Sequence, residues 1–150
     1  MLFFSSFILA SVFGASIAAP TPAKRELVGQ VLPDVATFGG IPGTARVDDL
    51  SQNECGIKVN PGDFVFLLSR AGSAPGSTAA ENGLCGRSDA TVFVLDENNV
   101  ILAENGPAFA PVGFCEDCDD GDVVLSQAAF DELGGNPATG TFDRVFTRFG

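Results

Sequence analysis

Short runs of β-branched and aromatic residues recur along the chain, broken by Gly, Pro, Asn and Asp, which is the pattern of successive strands joined by turns. They fall at residues 35–38, 44–47, 64–68, 91–95, 100–103 and 141–149. The clearest hairpin is TVFVLDENNVILAE, where Asp96, Glu97, Asn98 and Asn99 supply a turn between two apolar strands. Period-two alternation there places Val92 and Val94 on one face. Residues 69–83, SRAGSAPGSTAAENG, are small, polar and unpatterned, and read as a long surface loop tied down afterwards by Cys85. One helix is expected in SQAAFDEL: Ser126 caps its start, Phe130 and Leu133 lie on its buried side, and Gly134 and Gly135 end it. Many short strands with a single helix predict a small all-β barrel or sandwich.

The first residues follow a different logic. LFFSSFILASVFG is apolar or small throughout and is followed by small residues, the layout of a secretory signal peptide over residues 1–18. The run is too short for the roughly 20 apolar residues that cross a bilayer, so no membrane anchor is expected. Residues 19–25 form a short pro-segment that ends in the dibasic pair Lys24-Arg25, a cleavage signal for secretory-pathway proteases. Residues 26–39 are then an N-terminal extension, and residues 40–150 a single domain.

Composition narrows the chemistry. The 150 residues carry no His, Trp or Tyr, and 8 Lys and Arg stand against 19 Asp and Glu for a net charge of −11. Without histidine, serine–histidine and cysteine–histidine mechanisms and imidazole metal sites are excluded. A strongly acidic chain repels a phosphate backbone, so nucleic acid is set aside as a partner. Cys55, Cys85, Cys115 and Cys118 are even in number in an exported chain, which implies two disulfides among three possible pairings. A bridge from Cys55 or Cys85 to the Cys115 region would close a long loop and stabilise by about 3 to 4 kcal/mol. Acidic neighbours around the Cys115–Cys118 pair disfavour a thiolate, and the lack of a second CxxC disfavours zinc. No metal and no cofactor are expected.

The order GTARVDD, Glu54-Cys55-Gly56, Leu84-Cys85-Gly86, VGFCEDC over residues 112–118 and GDVVLSQAAF over residues 121–130 resembles fungal secreted double-psi β-barrel proteins of the rare-lipoprotein-A-like, barwin-like and expansin-like group. The resemblance implies an all-β fold: a small six-stranded double-psi barrel, disulfide-stabilised, with one or two short helices and a groove across one face. In the catalytic relatives, acids stand two residues before the CxxC and just before the Leu-Ser. The matching positions here are Gly113 and Val124, which cannot transfer a proton.

Asp122 and Asp117 remain the weak candidates for a displaced catalytic acid. The groove is expected along Phe109, Phe114, Glu116, Asp117 and Asp122, although buried core is the more ordinary role for Phe109 and Phe114. The expectation is a secreted monomer that binds a cell-wall polysaccharide or an extracellular protein without catalysis. A polysaccharide-active enzyme of the barwin-like endoglucanase or lytic transglycosylase type is the alternative.

Overall fold

The computed structural model describes residues 27–32 and 41–150. The expected signal peptide, the pro-segment and the strand at residues 35–38 lie outside the described residues. Seven strands and one helix follow in the order β1 (Gly43–Val47), β2 (Val65–Ser69), β3 (Ala90–Leu95), β4 (Ile101–Glu104), β5 (Ala110–Cys115), β6 (Val123–Leu125), α1 (Gln127–Glu132) and β7 (Thr141–Phe149). They form one sheet in the spatial order β4-β3-β7-β1-β6-β2-β5.

Six of these strands make the barrel. Its ends meet where Ala90 at the start of β3 pairs with Phe109 just before β5, through reciprocal backbone bonds of 3.2 and 2.9 Å. Strand β4 stays outside, as the hairpin partner of the second half of β3. Two strand pairs are parallel, β1 with β6 and β2 with β5, while β2 and β6 run antiparallel. Consecutive strands β1 and β2 therefore have β6 inserted between them, and consecutive strands β5 and β6 have β2 inserted between them. That mutual insertion is the double-psi topology.

Where the edge of β3 divides between β4 and β5, a side chain replaces the missing strand. Asn105 accepts from the Val92 amide at 2.6 Å and donates to the carbonyls of Ala90 and Pro107 at 3.1 and 2.7 Å. Its burial is tolerable because those partners satisfy it.

The apolar residues sort into three groups. Ala45, Phe66, Val92, Val94, Val123, Leu125 and Val145 fill the barrel, and α1 closes it with Ala129, Phe130 and Leu133. Val92 and Val94 share the interior face, as alternation requires, while Phe93 and Leu95 point outward to Leu32, Ile101 and Phe146. The outer side of β2, β5 and β6 is covered by Leu50 packing on Val65, Val112, Cys115 and Val124. Ser126 caps α1 by accepting from the Ala129 amide at 3.3 Å, and its hydroxyl donates to the Asp63 carbonyl at 2.7 Å, which ties the helix to the approach of β2.

The disulfides are Cys55–Cys85 and Cys115–Cys118, each with Cα atoms 5.5 Å apart. Of the three pairings the sequence left open, the fold makes the one that closes 30 residues between Cys55 and Cys85 and joins the Cys115–Cys118 pair within itself. Backbone pairing of the Cys55 amide with the Val112 carbonyl, at 3.1 Å, sets Cys55 beside β5, and Cys85 reaches it from the 69–83 loop.

Candidate functional site

Strands β2, β5 and β7 end, and β1, β3 and β6 begin, at the same end of the barrel. An open groove of ≈ 610 Å³ lies there, lined by Leu68, Leu84, Phe114, Asp122 and Phe149 among others. Its shape depends on a crossing of two backbones. A Cβ at Gly43 would stand 2.1 Å from the Gly121 carbonyl carbon, and one at Gly121 would stand 2.3 Å from the Ile41 oxygen. Glycine at both positions lets the β5–β6 connection pass against the start of β1.

Two Phe rings form the aromatic part of the groove, and each carries a guanidinium on its face. The Arg70 guanidinium carbon is 4.6 Å from the Phe114 ring centre, and that of Arg87 is 4.4 Å from Phe149. Each Arg is gripped by a carboxylate. Arg70 donates through Nε and Nη2 to Glu116, and Arg87 donates to the two oxygens of Asp89 at 2.8 and 2.6 Å. These bidentate bonds fix the guanidinium planes over the rings. The Arg70 hydrogen bonds hold the Glu116 carboxyl below its ordinary value, and those from Arg87 do the same for Asp89.

Two further acids of the region, Asp122 and Asp117, are also engaged. Asp122 accepts from the Thr44 amide at 2.7 Å, the Thr44 hydroxyl at 3.0 Å and the Asp119 amide at 3.1 Å. It precedes β6 rather than lying in it, so the face it would share with Val124 on a continuous strand is not imposed. Asp117 accepts from Arg46 at 2.8 Å, and this hydrogen bond lowers its pKa. The same guanidinium approaches the sulfurs of Cys115 and Cys118 at 3.5 and 3.9 Å. Potential donor atoms of Cys115, Asp117 and Cys118 cluster within 4.8 Å, but the two sulfurs are joined to each other and offer no thiolate to a metal.

The expected groove residues therefore divide. Phe114 and Asp122 line the groove, whereas Glu116 is not among its lining residues and pairs with Arg70, whose guanidinium lies over the Phe114 ring. Phe109 is fully buried, stacked on Phe64 at 5.7 Å in the barrel interior, so its side chain does not reach the groove surface. Asp117 projects to solvent, its side chain 78% exposed beside Arg46. Val124 is buried among Leu50, Val65 and Val112.

Gly113 is filled from outside by a residue that the sequence motifs do not mark as functional. A Cβ at that position would meet the Glu54 Cβ at 3.0 Å. Glu54 Oε1 accepts from the Ala79 amide at 2.8 Å and Oε2 from the Phe114 amide at 3.3 Å, with Arg70 Nη2 at 3.9 Å. One carboxylate thus joins the free edge of β5 to the long loop and to the Arg70–Glu116 pair. The signal available in sequence was its place beside Cys55.

No protein-family model matches the chain, and no curated protein matches it in sequence. Among solved structures, the Streptomyces papain inhibitor is similar at a TM-score of 0.47 and 22% identity, over 73% of this chain and 92% of that one.

Proposed function

We propose that the chain is an exported double-psi barrel that acts by binding, and that its groove takes an apolar or aromatic side chain of a basic extracellular protein. The observation that carries this reading is the pair of Phe faces held by Arg–carboxylate clamps at the groove. A general acid for glycoside cleavage needs a raised pKa, whereas Glu116 and Asp117 are displaced downward by Arg70 and Arg46. Asp122 spends its oxygens on Thr44 and Asp119. Pyranose platforms are usually supplied by Trp or Tyr, and the chain has neither. The net charge of −11, with Asp120 at the groove, supplies the complement to a basic partner. Two disulfides fit the oxidising compartment in which such a partner is met.

The test is an amide-shift titration of the ¹⁵N-labelled protein with defined probes. These are a peptide bearing Phe between lysines, the same peptide with glutamates, and soluble oligomers of β-1,4-glucan and chitin. The lysine peptide is expected to shift Leu84, Phe114 and Phe149, and Phe114→Ala to weaken it about tenfold, as loss of a central aromatic contact does. Binding of a glycan at these residues with a silent peptide overturns the reading. So does release of reducing ends from a polysaccharide that Asp122→Asn abolishes.

A further inference from the structure

We propose that Cys115–Cys118 is a thiol-exchange site, in which the Arg46 guanidinium receives the charge of the departing sulfur and the substrate is an accessible dithiol that leaves as its disulfide. The argument starts from a cation placed where a resting bridge has little use for it. Arg46 Nη2 is 3.5 Å from the Cys115 sulfur, and Nη1 is 3.9 Å from that of Cys118. A disulfide sulfur is a weak acceptor, whereas a thiolate carries a full charge, so this contact strengthens as the bridge opens.

The sequence surrounds this pair with acids, and the fold answers the two that lie between the cysteines with arginines. Glu116 is held by Arg70. Asp117 Oδ1 lies 3.0 Å from the Cys115 sulfur, but the same oxygen accepts from Arg46 Nη2 at 2.8 Å. Arg46 itself comes from β1, 69 and 72 residues before the two sulfurs that it faces. Access to those sulfurs is unequal. Cys115 is 3% exposed, packed with Leu50, Val112 and Val124 and paired through its backbone with Ser69 of β2, while Cys118 is half-buried beyond the end of β5. Attack therefore falls on Cys118, and Cys115 is the sulfur released, kept in place by the sheet. The bridge joins residues only 3 apart in sequence, so opening it frees little chain. Arg46, Cys115 and Cys118 are not among the residues that line the groove.

The exchange runs in two displacements. One thiolate of the dithiol attacks the Cys118 sulfur, the Cys115–Cys118 bond breaks, and its electron pair goes to the Cys115 sulfur beside Arg46 Nη2. The second thiolate of the substrate then attacks the substrate sulfur of the mixed disulfide, and the electron pair of that bond goes to Cys118 beside Arg46 Nη1. The substrate has lost two electrons and become a disulfide, and the protein has gained two. Protons shed by the substrate thiols pass through water to the cysteine sulfurs, where a protonated Cys115 has Asp117 Oδ1 as its acceptor.

The experiment treats the oxidised full chain with dithiothreitol under native conditions, alkylates samples with iodoacetamide over time, and locates the label by peptide mass. Cys115 and Cys118 are expected to be labelled while Cys55–Cys85 is still closed. Access alone predicts otherwise, since Cys55 and Cys85 are both half-buried. Arg46→Gln should slow the opening of Cys115–Cys118 about tenfold, the effect of removing a unit charge from beside a partly solvated anion. A guanidinium that merely packed on the turn would give the opposite sign, because its loss would loosen the turn and speed the reaction. Asp117→Asn, which removes the anion next to the Cys115 sulfur, should speed the opening severalfold, and it decides the matter if Arg46→Gln fails to fold. Opening of Cys55–Cys85 first or in step, an Arg46→Gln rate equal to or above that of the wild type, or an Asp117→Asn rate equal to or below it overturns the proposal.

Discussion

Glu54 does at one residue what a strand or a second disulfide does elsewhere. Its two oxygens hold the amides of Ala79 and Phe114, and its Cβ occupies the space next to Gly113. Replacing it with Ala should cost about 1–2 kcal/mol, the range for hydrogen bonds to a charged group with partial exposure, and should speed hydrogen exchange at Ala79 and Phe114. Gly113→Asp should lower the melting temperature through collision with Glu54, and a coincident Glu54→Gly should relieve part of it. The Arg–carboxylate clamps carry a pH dependence. Glu116 and Asp117 have depressed pKa values in the folded state, so their contribution is present above the unfolded value of about 4 and is lost as pH falls through the folded ones. Melting temperatures recorded from neutral pH into acid should show this loss, and Arg70→Gln should remove the part due to Glu116. Sequence reading named Asp122, Glu116 and Phe114 as groove candidates and did not name Glu54 as one. Nothing in its neighbours reveals that its hydrogen-bond partners come from 25 and 60 residues away.

The elements divide by how local their signals are. Strands β1, β2, β3, β4 and β7 and helix α1 were legible because alternation, turn residues and the Ser126 cap are written in consecutive positions. Strand β5 was not, since APVGFC contains a Pro and a Gly that ordinarily demote a strand, and its pairing with β2 is parallel and distant. Strand β6 spans only Val123–Leu125 and gives no period to read. Cysteine pairing stayed open for the same reason, because spacing does not encode which ends the fold brings together. The bridges should differ in worth. Cys55–Cys85 closes 30 residues, and its removal by Cys→Ser pairs should cost about 3–4 kcal/mol in denaturant unfolding, against about 2 kcal/mol for Cys115–Cys118. Asn105→Leu should cost about 1–3 kcal/mol by leaving the buried Val92 amide without an acceptor where β4 and β5 part.

At the scale of the whole molecule, charge and topology set the behaviour. An acidic surface of net −11 should make association with a basic peptide fall with ionic strength, measured by titration between low and physiological salt. Loss of binding in salt with the Phe114 contact intact would identify steering by the surface, whereas salt-independent binding would place the affinity in the aromatic faces. The interlocked strands have a consequence of another kind. A protease that nicks the exposed tip near Pro75 and Gly76 would separate β1 and β2 from the rest of the chain. Yet β2 is wedged between β5 and β6, and β6 between β1 and β2. The two fragments would stay threaded through each other, with Cys55–Cys85 as a rivet, and the damaged molecule would migrate as an intact particle until reductant and detergent let the halves fall apart.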